Sequence, residues 1–398
     1  MSFSLFNYMP PVGMRHGFKL ILNTLFSCRR AEEKSINPAL FNSHRVVAFD
    51  SGKAALLSAL QALTMIQGKC VNVIIPAYTC FSVAAVIEQA GLQMVLCDVL
   101  PETLDFDYEM LSDLIDEDTL CIIPTHLFGK SADVNRARKM ADLYGAFVIE
   151  DSAQALPEVG GEVSNADVTI YSFSRGKPYS ACGGGLLTSC RKNIIEMIER
   201  QVDLCTDSAL STQVSAAIKL FLNDLLISPY IYWLPASLPF LKIGKTIYPD
   251  RVEVGGMIDF KNTLINTMTD KFPSLSESRY MKMKYYHQAL KSLDIPREVI
   301  HLGKEYYKPI RYPFYVQKNV GDLSDNHVSE MARLGIVKMY PCGLHRLKRI
   351  QLFWVNKQTD FPGADWISEH LLSLPVHPLV TEKHQVRVVD HIRRCLLS

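Results

Sequence analysis

Between residues 46 and 190 the chain alternates short runs of Val, Ile and aromatic residues with longer segments of helical periodicity. "VVAF" leads into "SGKAALLSALQALTMI", and "VNVIIPA" into "CFSVAAVIEQAG". "LQMVLCDV" then precedes "DYEMLSDLI", and "LCIIPTH" precedes "DVNRARKMADLYG"; "AFVIEDSA", "VTIYSFS" and "GGLLTS" close the series. Strands that are apolar on both faces and separated by helices specify an α/β fold, with a mostly parallel central sheet sandwiched between helices. Ligands of such sheets collect beyond the carboxyl ends of the strands. The polar residues that end these runs are therefore the candidates for function: Ser51, Tyr78, His126, Asp151 and Ser172.

The rhythm breaks at about 205–255. "SAAIKLFLNDLLISPYIYWLPASLPFLKIGKTIYPD" is apolar and aromatic, but Pro229, Pro235, Pro239 and the Asn223–Asp224 pair interrupt it. A spanning helix is excluded by those breaks. Two readings stand: a helical insertion packed on the large domain or a subunit partner, or an element docking on a membrane surface. From 276, "SESRYMKMKYYHQALKSL" opens a section that ends in "SEHLLSLPVHP" and "TEKHQVRVVDHIRRCLL". This divides the chain into a large domain, 1–275, with an N-terminal arm and the insertion, and a smaller C-terminal α+β domain, 276–398.

Composition narrows the function classes. Lys plus Arg (42) nearly balance Asp plus Glu (41), so no overall field draws the protein to nucleic acid or to a membrane. The ten cysteines form no CxxC pair, and several sit in apolar runs, which reads as a reducing, cytoplasmic setting. No secretory leader is read at the N-terminus, and no His/Cys cluster has metal-ligand spacing, so no metal is expected.

Three stretches carry chemistry. In "AFDSGKAAL" a strand runs through Ser51, Gly52 and Lys53 into a helix; glycine admits an anion, and the first free amides of the helix point at it. In "FVIEDSAQA" Asp151 ends a strand and Gln154 follows on the same incipient turn, a place for an acid that holds a cationic ring nitrogen. In "YSFSRGKPYSACGGGLLTS" a single lysine, Lys177, stands in a loop of small and hydroxyl residues. A lysine amine forms imines with aldehydes, and Ser172, Ser174 and Arg175 could bind a phosphate beside it. Gly183, Gly184 and Gly185 would let the next strand press against a bulky cofactor. Phosphate site, carboxylate and lysine together match the phosphate, pyridine nitrogen and aldehyde of pyridoxal 5'-phosphate (PLP).

With those residues in place, the chain resembles the PLP-dependent sugar aminotransferases of the DegT/DnrJ/EryC1/StrS group, which have the fold-type I architecture. The likeness rests on "SGKAAL", "IIPAYTC", "AGLQMVLCDVLPETLDFD", "PTHLFGKSADV", "VIEDSAQAL", "SFSRGKP", "GGG" and "LSLPVHP" in that order. It implies Lys177 as the imine-forming lysine and proton shuttle, and Asp151 as the partner of the ring nitrogen. It implies Gln154 at the ring's phenolic oxygen, Ser172 with Ser51, Gly52 and Lys53 at the phosphate, and His126 near the cofactor among the catalytic groups. The family usually has Thr where Lys53 stands. Two further departures are evident. The aromatic that stacks on the ring is expected where Cys80 lies, leaving Tyr78 or Phe81 as substitutes. The Asn-x-Arg motif that the partner subunit contributes is absent from "EVGGMIDF". His345 and His377 align with family features of the small domain, or are structural.

The resemblance implies a homodimer with its active site at the subunit interface. The activity it implies is transfer of an amino group from an amino acid, glutamate first among donors, to a nucleotide-linked keto-sugar in polysaccharide or surface-glycan biosynthesis. Alternatives are a PLP enzyme acting on a non-sugar carbonyl, a sugar dehydratase, whose relatives carry His in place of the lysine, or a non-catalytic scaffold associated with membranes.

Overall fold

The computed structural model describes residues 8–28, 36–41, 45–155, 163–201, 209–238, 246–291, 310–357 and 359–395. Pro239, Cys205 and the stretches 202–208 and 239–245 of the apolar insertion lie outside them.

The alternating region folds as read, most element ends falling within two residues of the expected limits. Strands β1 (Arg45–Phe49), β2 (Asn72–Pro76), β3 (Gln93–Cys97), β6 (Thr119–Ile122), β7 (Phe147–Asp151), β8 (Val168–Ser172) and β9 (Gly185–Ser189) make one seven-stranded sheet. Its order is β1-β9-β8-β7-β6-β2-β3. The pairs from β8 to β3 are parallel, and β9 lies antiparallel to both β8 and β1. A small hairpin, β4 (Val99–Leu100) with β5 (Asp105–Phe106), follows β3.

Helices α2 (Gly52–Gln67), α3 (Phe81–Gln89), α4 (Tyr108–Leu114), α5 (Val134–Tyr144) and α6 (Lys192–Gln201) accompany the sheet. Their limits follow from local chemistry. Ser51 caps α2, its Oγ accepting the Ala54 amide at 3.2 Å, and Gly68 ends it in the left-handed conformation with φ 64°. Asp133 caps α5 through the Arg136 amide, and Gly145 ends it the same way. Residues 54–60 of α2 are all buried, which fixes the helix on the sheet.

Helix α1 (Phe18–Ser27) lies before β1. The insertion supplies α7 (Leu210–Leu226) and α8 (Trp233–Ala236), and α9 (Asp259–Met268) packs with both α1 and α7. The remainder comprises α10 (Phe272–Leu290), α11 (Asp325–Leu334), α12 (Pro362–His370) and α13 (Glu382–Cys395) around the antiparallel pair β10 (Arg311–Tyr315) and β11 (Leu371–Pro375). One apolar cluster runs from Leu57, Ile75 and Val86 through Tyr286, Phe314 and Leu372, so packing is continuous across residue 275.

Candidate active site

Ser51, Asp151 and Ser172 stand at or just beyond the carboxyl ends of β1, β7 and β8, on one edge of the sheet. At the β1 end, close packing decides the geometry. A Cβ on Gly52 would meet the Ser172 Cβ at 2.9 Å and its Oγ at 3.2 Å, so the start of α2 touches Ser172 directly. A Cβ on Gly185 would stand 2.3 Å from the Gly52 nitrogen and 2.4 Å from the Ser51 carbonyl carbon. The glycine run was expected to clear space for a cofactor. Instead it clears space for protein: Gly185 for the backbone of α2, Gly184 for Met257 and Gly183 for Lys261. The first-turn amides of Gly52 and Lys53 have no preceding turn to bond to, and α2 has no acid in that turn, so its dipole favours an anion there.

Charge is gathered behind this start. Burial raises the Asp50 carboxyl, against its hydrogen bond to Ser51 and the nearby charges of Lys261 and Lys53. Lys261, on α9 beside Gly183, has its pKa lowered by burial, with Asp50 acting in the opposite sense. Lys261 follows directly on the segment that lacks the Asn-x-Arg motif.

On the next strands, Asp151 is 9% exposed and accepts the Ala153 amide at 3.0 Å on Oδ1. Gln154 is buried, accepts the Phe128 amide at 3.0 Å and donates from Nε2 to the Tyr340 hydroxyl at 2.8 Å. Tyr340 is a residue the sequence reading passed over. It comes from beyond α11, packs edge-on to Tyr78 at 5.3 Å and lies near-parallel to Phe81 at 6.4 Å. Burial raises its hydroxyl well above the usual value, with Cys80 and Asp151 close enough to add to the effect. Tyr78 is wholly buried, and Cys80 stands just before α3 with its sulfur 3.0 Å from Ser82 Oγ.

His126 is held by two neighbours. Its Nε2 lies 2.6 Å from Glu150 Oε1, and its Nδ1 accepts the Ala132 amide at 2.9 Å. Both ring nitrogens are engaged within the protein, which fixes the ring at the end of β7. Burial opposes a charge on this ring, but Glu150 prevails and its pKa is raised. Burial would raise Glu150 too; His126, then Ser164 and Thr169, outweigh it and bring its pKa to about 2. His345 and His377 each engage one ring nitrogen. His345 bonds Asp365 at 2.9 Å, and His377 donates to the Pro10 carbonyl at 2.9 Å, with burial lowering its pKa to about 3.

Lys177 stands in the loop between β8 and β9, its amide bonded to the Ser174 carbonyl at 3.2 Å across a turn in which Gly176 has φ 83°. Arg279 of α10, wholly buried, donates to the carbonyl of Pro178, the next residue. Tyr179 is buried against Phe173, His16 and Phe272. The lysine loop is therefore anchored at the two residues that follow Lys177. No local signal marked Arg279 as its anchor.

The model of the DegT/DnrJ/EryC1/StrS aminotransferase family matches residues 33–214 and 255–393. The chain belongs to that family. As a DegT/DnrJ/EryC1/StrS member it is a PLP-dependent aminotransferase. It is 25% identical over 353 residues to a UDP-N-acetyl-3-dehydro-alpha-D-glucosamine 3-aminotransferase of Acidithiobacillus ferrooxidans, covering 87% of this chain and 83% of that protein. Solved structures share its fold. PseC of Helicobacter pylori, an aminotransferase of pseudaminic acid biosynthesis, is 15% identical with a TM-score of 0.74, over 97% of this chain and 98% of that one. Spr1654 of Streptococcus pneumoniae, solved in its PLP form, is 19% identical with a TM-score of 0.69, over 96% and 97%. The residues present suit the family's cofactor: an anion cradle closed by Gly185 and Ser172, a buried carboxylate on the adjacent strand, and a lysine five residues beyond Ser172.

Proposed function

We propose that this chain transfers an amino group from an amino acid, glutamate first among donors, to the carbonyl of a nucleotide-linked keto-sugar in polysaccharide or surface-glycan biosynthesis. The observation that carries the reading is the contact of Gly52 with Ser172 under Gly185, which joins the anion cradle to the loop that bears Lys177. The Acidithiobacillus relative, which aminates a UDP-linked 3-keto sugar by its name, supports the substrate class.

PLP, when bound, supplies a ring that accepts electrons as a bond at the donor's α-carbon breaks. The Gly52 and Lys53 amides, the Ser172 hydroxyl and the Lys53 charge hold its phosphate. The Asp151 carboxylate holds the proton on the ring nitrogen, and its fixed charge acts without reorganisation. Gln154 orients the ring oxygen by its amide once Tyr340 releases it. Lys177 Nζ would hold the cofactor at its aldehyde carbon; as a free amine it would take the proton from the donor's α-carbon, and in the second half-reaction it would deliver a proton to the sugar carbon that receives the amino group. A lysine at 177 favours transamination over dehydration, because the dehydratases of the resemblance carry His there.

We place this activity in a homodimer with the active site at the subunit interface, in the cytoplasm, and read 1–275 as the cofactor domain and 276–398 as the smaller one. Lys177→Ala is expected to abolish both the visible absorbance of the lysine-bound cofactor and its bleaching by glutamate. Retention of either property would overturn the assignment of Lys177. Bleaching without amination of any UDP-linked keto-sugar would overturn the sugar reading alone.

A further inference from the structure

The family model leaves out residues 1–32 and 215–254. These two separate parts of the chain are built into one element. The Asp224 carboxylate of α7 accepts the backbone amides of His16, at 2.6 Å, and Gly17, at 2.9 Å, and bonds the His16 ring at 3.0 Å. Asp224 thereby ties the two residues before α1 to α7, and the Phe18 and Phe221 rings meet edge-on at 5.7 Å. The His16 ring also stands edge-on to Tyr179, two residues past Lys177, which seats the element against the lysine loop.

Helix α7 is amphipathic in the wrong sense for a helix that faces water. Its buried face is Gln213, Ala217, Leu220 and Asp224, and Gln213 spends its carbonyl on the Phe260 amide. Its outer face carries Ile218, Phe221, Leu222 and Leu225, which recur at helical spacing on one side. Phe18 and Phe26 extend this face along α1, and the six side chains are 41% to 64% exposed. Apolar area displayed in this way marks an interaction surface.

Charge indicates what covers it. Among the described residues 8–28 and 209–238 the only acid is Asp224, and it is buried against His16 and Gly17. Arg15, Lys19 and Lys219 are exposed. Among the described residues no helix is long and apolar enough to cross a membrane. This face is built from α1, α8 and α7, most of which the family model does not match. We propose that it docks peripherally on an anionic lipid bilayer, the phenyl and leucyl side chains entering the head-group boundary and the three cations meeting lipid phosphates.

The test is co-sedimentation of the full chain with vesicles of phosphatidylcholine alone or mixed with phosphatidylglycerol, which reads binding independently of transamination. Wild type is expected to partition roughly ten-fold better onto the anionic vesicles, and the preference to fall with added salt. Replacing Phe18, Phe221 and Leu222 together by Ser is expected to reduce binding at least about ten-fold. Lys19→Glu with Lys219→Glu is expected to abolish the anionic preference and to leave weak binding to phosphatidylcholine. All of these side chains are exposed, so circular dichroism and cofactor absorbance should match wild type. Wild type that fails to sediment with anionic vesicles overturns the proposal, as do variants that bind like wild type. A serine variant that lowers the solution mass in light scattering assigns the face to a second copy, and overturns it as well.

Discussion

Gly185→Ala adds one methyl group at the point where β9 crosses the start of α2. Gly185 is not among the glycines with positive φ, so alanine carries no backbone penalty there and the effect is purely steric. The new Cβ would stand 2.3 Å from the Gly52 nitrogen, where ordinary contact begins at 3.4 Å, and both neighbours are backbone. The helix start must therefore retreat by about 1 Å, and overpacking of this kind costs about 1–3 kcal/mol of stability. A retreat of that size takes an amide–phosphate hydrogen bond of about 2.9 Å beyond useful range. Losing two such charge-assisted bonds, each about 1.5 kcal/mol or more, weakens PLP binding roughly 100-fold. Titration of the apoprotein with PLP, followed by absorbance, measures the second effect, and urea unfolding of the apoprotein measures the first. Wild-type affinity and stability in Gly185→Ala would show that the contact between β9 and α2 does not set the cradle.

Two other substitutions separate structural from cofactor roles. Glu150→Gln removes the buried partner of His126; the fall of the Glu150 pKa from 4.5 to about 2 corresponds to a stabilisation on the order of 3 kcal/mol. Because that pKa is depressed on folding, the contribution is present above pH 4.5 and lost as pH falls toward 2. The difference in urea stability between wild type and variant should accordingly be full at pH 6 and shrink below pH 4.5; a difference independent of pH would refute the ion-pair reading. Tyr340→Phe removes the hydroxyl that holds Gln154 Nε2 at 2.8 Å, and should cost the apoprotein about 1 kcal/mol. PLP affinity should be equal or tighter, since Gln154 no longer has to release that hydroxyl; weaker binding would show that Tyr340 itself holds the cofactor.

The sheet and the strand-end residues were legible because both are written locally. Runs such as "VNVIIPA" and "FVIED" give strand, length and end at once, and a carboxyl end of a parallel sheet is a ligand position wherever it occurs. What escaped was set by contacts distant in sequence. Arg279 reaches Pro178 from 101 residues away, and Tyr340 meets Gln154 across 186. The partners of His126 escaped too, because its strand-end position is the same whether its nitrogens face a ligand or, as here, Glu150 and Ala132. The triple glycine signalled close approach correctly, but a sequence does not say what approaches. Its neighbours are Lys261, Met257 and the backbone of Ser51 and Gly52.

The orientation of β9 explains why the cradle and the lysine form one unit. A parallel strand after β8 would need a crossover and would carry the lysine loop away from α2. Instead the chain turns back directly, and β9 inserts antiparallel between β8 and β1. The loop between them is tied at its base: the Phe173 carbonyl accepts the Ala181 and Gly183 amides, and the Phe173 amide donates to Gly184. Gly184 in turn donates to the Asp50 carbonyl at 2.6 Å, at the entrance to α2. The segment that presents Lys177 is thus the same one that presses Gly185 onto the helix start. A displacement of either is transmitted to the other through backbone, with no side chain free to absorb it.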